Sequence, residues 1–371
     1  MQFLEANARR VVIKIGTHSI AGPDGSLRVE RIRLICRQIA TLRHQGMEVL
    51  VISSGAVGMG VGRLGLDQRP SDLASLQACA AVGQSKLVEA WQTALQEEGF
   101  IAAQILLTRE DIRGRKRHLA VRNTLEKLLS MGVVPVVNEN DTVSADEIKF
   151  GDNDVLSALV ASLVKADLLV ILSTISGLME DQGKGPLIPV VSEITEEIRA
   201  MAGGTTGTHS TGGMVTKIEA ARLATQSGCG VFIGDASTPD ILGKIHSGSA
   251  EGTFFVPQEI PLASRKRWIA FFEKPLGKLH LDAGAVRAIV ERNSSLLATG
   301  VTSSEGTFKE GSVVTLHGPD GKTVARGIVT YDDRALAGIL GKDSKEIHAL
   351  YPQRSRCEVV HKDSLVLTQA G

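Results

Sequence analysis

Short runs of aliphatic residues alternate with longer segments of helical periodicity from the start of the chain to about residue 250. In the helical segments apolar residues recur three and four positions apart, and several segments end at a glycine, as helices commonly do. This alternation predicts an α/β fold with a mainly parallel sheet sandwiched by helices. The predicted strands cover residues 11–15, 48–53, 102–107, 133–137, 168–172 and 230–233, and the predicted helices cover residues 32–42, 73–98, 117–131, 153–165 and 215–227.

The pattern changes after residue 255, where three prolines and a basic run next to Trp268 interrupt it. Prolines and exposed charges are typical of a solvated linker, which we favour here over a nucleic-acid-binding segment. Short strand-like runs separated by glycine-rich turns follow and predict a small β-barrel-like module. Its predicted strands cover residues 278–281, 311–316, 323–330 and 357–360, and its helices cover 282–292 and 333–340. We therefore expect a first domain at 1–255, a linker at 256–275 and a second domain at 276–371.

Composition narrows the class of protein only slightly. The 371 residues carry 41 Lys and Arg against 41 Asp and Glu, so the net charge does not indicate nucleic acid, membrane or an acidic partner. The four cysteines are scattered without a Cys-x-x-Cys pair and are expected to be reduced. The N-terminus does not have the pattern of a secretion signal, and no apolar run approaches the ~18 residues that span a bilayer. These features predict a cytoplasmic protein.

Polar clusters follow the predicted strands where a parallel sheet binds its ligands, at the carboxyl ends of strands. Three clusters lie at or directly after the end of a predicted strand: Lys14-Ile15-Gly16-Thr17, Ser53-Ser54-Gly55-Ala56 and Asn138-Glu139-Asn140-Asp141. Gly151-Asp152-Asn153-Asp154 stands immediately before a predicted helix, where Asp and Asn also serve as caps. Any one cluster could be ordinary turn chemistry. Their common position predicts a ligand site at one edge of the sheet.

The stretch Thr211-Gly212-Gly213-Met214-Val215-Thr216-Lys217 leads directly into a predicted helix. Glycines allow backbone amides to approach an anion, the helix presents its positive end, and the lysine adds a full charge. This combination is typical of a phosphate site. The surrounding residues 203–213 are also rich in Gly, Thr and Ser, so a flexible linker is the alternative.

Two nucleotide-binding patterns do not fit their expected context. Gly60-Val61-Gly62-Arg63-Leu64-Gly65 has the spacing of the dinucleotide fingerprint, but the preceding strand ends near Ser53 and no acid follows at the expected distance. We interpret this stretch as a glycine-rich loop. Gly321-Lys322-Thr323 resembles the end of a P-loop, but Leu316 stands where the first glycine is required. We interpret it as a hairpin turn.

Together the polar clusters resemble the glutamate-phosphorylating members of the amino acid kinase family, followed by a PUA-type domain. The motifs that carry the resemblance are Lys-Ile-Gly-Thr, Ser-Ser-Gly-Ala, Asn-Glu-Asn-Asp, Gly-Asp-Asn-Asp and Thr-Gly-Gly-Met-Val-Thr-Lys. The resemblance implies ATP-dependent phosphorylation of the L-glutamate side-chain carboxylate to L-glutamyl 5-phosphate, the first step of proline biosynthesis. It also implies Mg²⁺ with the ATP, a homo-oligomer (dimer or tetramer) and feedback inhibition by proline.

The resemblance also assigns residues. It places Lys14 and Lys217 on the phosphates, with Asp152 and Asp154 fixing the lysine heads, and it draws the ligands of Mg²⁺ from phosphate oxygens and water, with no metal ligand from the protein. It assigns glutamate to Ser54, Gly55, Asp141 and Asn153. The residues assigned to ATP are Lys14, Gly16, Thr17, Ser173, Thr174, Thr211, Gly212, Gly213, Met214, Val215, Thr216 and Lys217.

One segment departs from the family pattern. The family shows Thr-Asp and then Gly-Leu, an aromatic residue and Asp-Pro after the strand that ends near Leu172, whereas here the chain reads Ser173-Thr174-Ile175-Ser176-Gly177-Leu178-Met179-Glu180-Asp181. Contacts to base or ribose that the missing groups make would be lost. We therefore expect ATP to bind through its phosphates with relaxed base discrimination.

Two alternative functions follow from the sequence. The phosphoryl acceptor could be another small anion such as acetylglutamate, aspartate, carbamate or a nucleoside monophosphate. The PUA-type domain could instead bind RNA or accompany RNA modification, but residues 276–371 contain 12 Lys and Arg against 11 Asp and Glu and few aromatic residues. Backbone-driven RNA binding calls for a clear basic surplus, so we do not expect RNA as a partner and expect an auxiliary role in assembly or regulation.

Overall fold

The structure is a computed structural model that describes residues 8–22, 26–113, 115–143, 152–204, 213–258, 275–354 and 357–368. The chain divides into two compact units, Met1–Pro261 and Leu262–Gly371. None of the described helices combines the length and apolar character that a bilayer crossing requires.

The first unit is built on an eight-stranded sheet with the strand order β3-β4-β2-β1-β5-β7-β8-β6. Its described strand pairs are parallel, with the exception of the antiparallel pair β7–β8. This arrangement confirms the predicted α/β fold. The strands are β1 Arg10–Ile15, β2 Glu48–Ile52, β3 Ala102–Leu107, β4 Val134–Glu139, β5 Leu168–Ser173, β6 Val190–Val191, β7 Gly230–Asp235 and β8 Thr253–Phe255. The two short strands β6 and β8 were not predicted.

Helices pack against this sheet through apolar faces that the sequence pattern had indicated. Strand β1 lies at the centre of the core, with Val12, Ile13 and Ile15 completely buried. Among the residues that the structure describes, Trp91 is the largest fully buried side chain, and it comes from the longest described helix. The helices are α1 Thr17–Ile20, α2 Val29–His44, α3 Ala56–Arg63, α4 Leu73–Glu97, α5 Arg109–Arg113, α6 Arg115–Ser130, α7 Asp152–Leu163, α8 Glu196–Met201, α9 Met214–Gln226 and α10 Ile241–His246.

Helix α3 corrects our interpretation of the glycine-rich stretch that begins at Gly60, because most of that stretch is helical and not a loop. A Cβ atom on Gly60 would lie 1.8 Å from the carbonyl oxygen of Cys79, and one on Gly83 would lie 1.9 Å from that of Ala56. Helices α3 and α4 therefore pack backbone against backbone, which only glycine allows at these two positions. Gly60 and Gly83 therefore serve helix packing, a role that the abundance of glycine in this stretch does not reveal.

The second unit contains a five-stranded sheet with the order β10-β9-β11-β12-β13. The hairpin predicted at Gly321 is confirmed, since β11 and β12 pair antiparallel and Gly318 N donates to Lys322 O at 2.9 Å. The strand predicted at 357–360 is wrong, because the strand begins at Val360. The elements are β9 Gly277–Leu281, β10 Val301–Gly306, β11 Val313–His317, β12 Thr323–Val329 and β13 Val360–Leu367, with α11 Ala283–Arg292, α12 Asp333–Ile339 and α13 Ser344–Leu350.

Strand β10 and helix α13 were missed for different reasons. The strand has the sequence VTSSEG and lies at the edge of the sheet, where its mostly exposed residues need no apolar alternation. Helix α13 begins with a capping box, in which Asp343 accepts from the N–H of Glu346 and the Glu346 carboxylate accepts from the N–H of Asp343. This Asp-x-x-Glu signal was present in the sequence and was overlooked.

Candidate active site

The carboxyl ends of neighbouring strands meet at one edge of the first sheet, as the parallel order requires. Lys14 of β1 stands in register with Ile52 of β2 on one side and with Ile171 of β5 on the other. Beyond β1, the N–H of Gly16 donates to the carbonyl of Leu172 at 3.0 Å. A Cβ atom on Gly55 would lie 3.5 Å from Cγ2 of Thr17. The polar clusters after β1 and β2 are therefore side by side.

Two lysines from distant parts of the chain converge on one buried carboxylate. Nζ of Lys14, near the end of β1, lies 2.6 Å from Oδ1 of Asp154, and Nζ of Lys217, in the first turn of α9, lies 3.1 Å from Oδ2. All three side chains are buried, and Asp154 has no exposed surface. Two positive charges face one negative charge, so these three residues, the lysine cluster, carry a surplus of one positive charge.

The protonation of the lysine cluster is set by burial and by mutual attraction. Burial alone would raise the pKa of Asp154, but the charges of Lys14 and Lys217, with hydrogen bonds from Lys14 and Thr216, hold that pKa below its ordinary value of 3.8. Burial lowers the pKa of Lys217, against the raising effect of Asp154, and repulsion from Lys14 adds to the lowering. The carboxylate is thus ionised at neutral pH, and Lys217 loses its proton more readily than an exposed lysine.

The start of α9 supplies the remaining contacts to Asp154. The hydroxyl of Thr216 lies 2.7 Å from Oδ2 of Asp154 and 2.9 Å from the carbonyl oxygen of Gly213, and it can donate its single hydrogen to either. The N-cap residue of this helix is Gly213, which has no side chain that could cap the first-turn N–H groups. The side chain of Met214 is buried and that of Val215 is 58% exposed. The predicted residues Thr211 and Gly212 lie outside the described residues.

Uncharged amides form the other half of the edge. The side-chain nitrogen of Asn153 donates to Oγ of Ser54 at 2.8 Å and to Oδ1 of Asn138 at 3.1 Å. The side-chain nitrogen of Asn138 in turn donates to Oε1 of Gln84 at 2.8 Å. We call Gln84, Asn138, Asn153 and Ser54 the amide network. Next to it, Gly55 has a φ of 107°, a left-handed conformation that favours glycine between β2 and α3.

Two members of the amide network were not among the predicted site residues. Asn138 belonged to a cluster that the sequence had singled out, so its position at a strand end was the available signal. Gln84 lies in the middle of α4, and its sequence signal was weak, a polar residue between a glycine and a serine within a helical pattern. Its contact partner lies 54 residues away in the chain.

The other predicted residues are placed as follows. Asp141 comes two residues after β4. Burial lowers the pKa of Arg69, and the negative charge of Asp141 opposes part of this lowering. Asp152 begins α7, but its side chain is outside the described part of the protein. Ser173 ends β5 in register with Asp235 of β7 and accepts a hydrogen bond from the N–H of Ala236 at 2.8 Å. Thr174, which follows it, is exposed.

The segment after Ser173 is fastened to the sheet by one threonine. Oγ1 of Thr253 accepts from the N–H of Leu178 at 2.8 Å and donates to the carbonyl of Ile188 at 2.7 Å. Leu178 is buried, whereas Thr174 and Ser176 are exposed. The segment therefore has a fixed position without the acid, the aromatic residue or the Asp-Pro that the family pattern would place there.

The described residues contain no group of three or more His, Cys, Asp or Glu side chains that could bind a metal ion. The buried carboxylate of the lysine cluster is already paired with two lysines. Lysine heads and a helix that starts at a glycine N-cap are instead suited to an anion with several oxygens, such as a polyphosphate.

Comparison with known proteins agrees with this geometry. Residues 9–235 match the amino acid kinase family, and residues 277–351 match the PUA domain. The chain belongs to the amino acid kinase family. As a member of that family it is a kinase, with ATP as co-substrate.

Curated relatives of this amino acid kinase match along almost the whole chain. It is 45% identical to the glutamate 5-kinase of Syntrophotalea carbinolica, with 98% of each chain covered. It is 42% identical to the glutamate 5-kinase of Caldanaerobacter subterraneus subsp. tengcongensis, again with 98% of each chain covered. The glutamate 5-kinase of Moorella thermoacetica is 43% identical, with 98% of this chain and 97% of the relative covered.

Proposed function

We propose that this kinase transfers the γ-phosphoryl group of ATP to the side-chain carboxylate of L-glutamate, giving L-glutamyl 5-phosphate and ADP, the first step of proline biosynthesis. The observation that carries the proposal is the pairing of two different half-sites at one sheet edge. A positively charged lysine cluster lies beside an amide network, and adjacent residues of α7, Asn153 and Asp154, join them. The relatives that match 98% of the chain are named glutamate 5-kinases.

The lysine cluster fits the phosphoryl group that is transferred. Both reactants are anionic, since a glutamate side chain with a pKa near ~4.3 is ionised at neutral pH. The reaction therefore needs no general base, and the main demand is to neutralise charge and to hold attacking and leaving oxygens in line. Lys14 and Lys217 supply the positive charge, and Asp154 fixes their positions. Asp152 would assist in fixing the lysine heads.

The remaining nucleotide contacts are proposed along the same edge. Gly16 and Gly213 would allow backbone to approach the phosphates, and Thr17 would lie beside them. Thr216 orients the start of α9 through its hydrogen bond to Asp154. Ser173 and Thr174 would lie beside the nucleoside. Mg²⁺ would arrive with ATP as part of the substrate, held by phosphate oxygens and water. The other proposed ATP residues are Thr211, Gly212, Met214 and Val215.

The amide network fits the amino acid. Because Ser54 Oγ accepts a hydrogen bond from Asn153, its own hydrogen is available to a carboxylate oxygen of the ligand. Oδ1 of Asn153 is buried and has no hydrogen-bond partner among the described residues. A buried acceptor of this kind calls for a donor, and the ammonium group of an amino acid is one. Asp141 would add a carboxylate for the ammonium, and Gly55 an amide for the α-carboxylate.

Several properties of the whole protein are proposed with this function. They are domain limits of 1–255 and 276–371 with a linker at 256–275, a homo-oligomer of two or four subunits, inhibition by proline at or near the glutamate site, and a cytoplasmic location. The described cysteines are unpaired, which supports a reducing compartment. The second domain would serve assembly or regulation, since its charges are nearly balanced.

The test is ADP release from MgATP by the purified full-length protein with L-glutamate, acetylglutamate, aspartate, carbamate or a nucleoside monophosphate. Hydroxylamine in parallel reactions traps an acyl phosphate as a hydroxamate. Glutamate-dependent ADP together with hydroxamate is the expected result. Turnover with another acceptor and not with glutamate would overturn the specificity while leaving the family assignment intact.

A second measurement tests the proposed loss of base discrimination. The turnover ratio of ATP to GTP should be smaller in this protein than in a relative that carries Thr-Asp at positions 173 and 174. Equal ratios in the two proteins would contradict the proposal and show that the segment after Ser173 does not select the base.

A further inference from the structure

We propose that Gln84, on helix α4, is a positioning residue for the amino acid substrate and acts through Asn138 on the side-chain amide of Asn153. The inference rests on the proposed function, because it assigns the amide network to glutamate. Gln84 does not belong to a strand end and lies between Gly83 and Ser85 on a helix that packs elsewhere against the core. What singles it out is the direction of each hydrogen bond between it and Asn153.

The directions are fixed by a backbone group. The N–H of Glu139 lies 2.9 Å from the side chain of Asn138 and can only donate, so the Asn138 atom that faces it is the oxygen Oδ1. The nitrogen of the same amide must then face the other way, toward Gln84 at 2.8 Å. Since an amide nitrogen has no acceptor capacity, the atom of Gln84 that meets it is the oxygen Oε1.

The same reasoning orients Asn153. Oδ1 of Asn138 lies 3.1 Å from Asn153, so Asn153 must present its nitrogen to it. That nitrogen also lies 2.8 Å from Ser54 Oγ and 3.4 Å from the carbonyl oxygen of Ser53. Oδ1 of Asn153 is therefore turned away from these acceptors and is left without a partner among the described residues. If the amide of Asn138 rotated by 180°, Asn153 would lose the acceptor that holds its nitrogen toward Asn138 and its oxygen toward a ligand.

Gln84 opposes that turn. Its Oε1 is an acceptor, so it can form a hydrogen bond with Asn138 only when the nitrogen of Asn138 faces α4. The reach of Gln84 depends on its neighbour Gly83, because a Cβ atom there would lie 1.9 Å from the carbonyl oxygen of Ala56. The absence of that atom lets α4 approach the turn after Ser54. On the other side, Trp91 of the same helix donates to Oγ of Ser53 at 2.9 Å. Helix α4 thus holds both flanks of the network.

The decisive variant is Gln84→Leu, which removes the acceptor while keeping the side chain's approximate size. We expect the KM for glutamate to rise about tenfold, as for the loss of one oriented hydrogen bond, with the KM for ATP within about twofold of the original. Gln84→Glu retains an acceptor oxygen toward Asn138 and should bring the KM for glutamate back to within about threefold. Gln92→Leu, on an exposed position of the same helix, is the matched control and should change neither constant.

The outcomes separate this inference from the proposed function. Absence of glutamate-dependent turnover in the unaltered protein would overturn the proposed function itself. With an active unaltered protein, three results would overturn the positioning role: an unchanged KM for glutamate in Gln84→Leu, an equal rise of both KM values, or a Gln84→Glu variant as impaired as Gln84→Leu. Gln84→Met, a good helix former without a strong acceptor, replaces the leucine variant should that variant not fold.

Discussion

The two halves of the candidate active-site edge use opposite electrostatic designs. The lysine cluster buries three full charges within one set of ion pairs, with Lys14 and Lys217 on the two oxygens of Asp154. The amide network, a few residues away, is made of neutral donors and acceptors. Adjacent residues of one helix serve the two halves, because successive side chains on an α-helix point about 100° apart. Asp154 turns to the lysines and Asn153 to Ser54.

The difference matches the chemical demands of the roles that we propose for the two halves. Phosphoryl transfer between anions gains from positive charge in a site of low dielectric constant, where charge acts strongly. Recognition of an amino acid gains from fixed directions of donors and acceptors, since a zwitterion presents both kinds of group. We therefore expect changes in the lysine cluster to affect stability and turnover, and changes in the amide network to affect the KM for glutamate.

The largest effect is expected for Asp154→Asn. The substitution leaves two buried lysines without their counter-charge, which should lower the free energy of unfolding by about 3–5 kcal/mol in urea denaturation. Because the pKa of Asp154 is lowered on folding, its contribution is present above pH 3.8 and is lost as the pH falls through that lowered pKa. The difference in the free energy of unfolding between Asp154→Asn and the unaltered protein should therefore become smaller only in strong acid.

Glu89→Gln serves as the control for Asp154→Asn. Glu89 forms an exposed pair with Lys86 at 2.7 Å, so its loss should change the free energy of unfolding by less than about 0.5 kcal/mol. A similar, small effect of both substitutions would show that the buried ion pairs do not set the stability of this edge.

Lys217→Ala should produce the next largest effect, on turnover. Removing one preorganised cation is expected to lower kcat by roughly 10²–10³ while the KM for glutamate changes little. Lys86→Ala, at an exposed position, is the control. A kcat equal to that of the unaltered protein would mean that the segment before α9 is a linker and does not hold phosphate.

The pH dependence of activity tests the same charge of Lys217 without a substitution, because raising the pH removes the charge gradually. Burial lowers the pKa of Lys217 below its ordinary value of 10.5, so kcat/KM for ATP, at saturating glutamate, should fall as the pH rises through that lowered pKa. In Lys217→Arg the guanidinium stays charged above pH 12, and this alkaline decline should move to higher pH. An alkaline decline at the same pH in both proteins would assign it to another group.

A smaller effect, on the amide-network side, is expected for Gly83→Ala. The added methyl group would collide with the backbone of α3 and should cost about 1–3 kcal/mol of stability, with a rise in the KM for glutamate as α4 moves away. Gly58→Ala is the matched control in α3, since no described atom beyond the adjacent backbone of α3 and the two neighbouring residues lies within 4 Å of a Cβ there, and it should be neutral or slightly stabilising. Equal stabilities of the two variants would contradict the close packing of α3 on α4.

Particular residues show how far the sequence could be interpreted. The aliphatic runs at β1, β2 and β5 predicted buried parallel strands, because strands covered by helices on both faces consist mainly of apolar residues. Parallel strands then brought Lys14, Ser54 and Ser173 to one edge. The pattern could not find β10, whose exposed residues have no apolar period, or distinguish the glycines of α3 from those of a loop, since glycine packing depends on the partner helix.

The sequence by itself determined the α/β class, the edge at which the candidate ligand residues lie and the family to which the chain belongs. These depend on periodicity and on motifs that are local in the chain. Only the tertiary structure decided that Lys14 and Lys217 share the carboxylate of Asp154, and that Gln84 reaches Asn138 across 54 residues of chain. Such contacts depend on distances and directions between elements, which side-chain burial and close packing fix only in the folded protein.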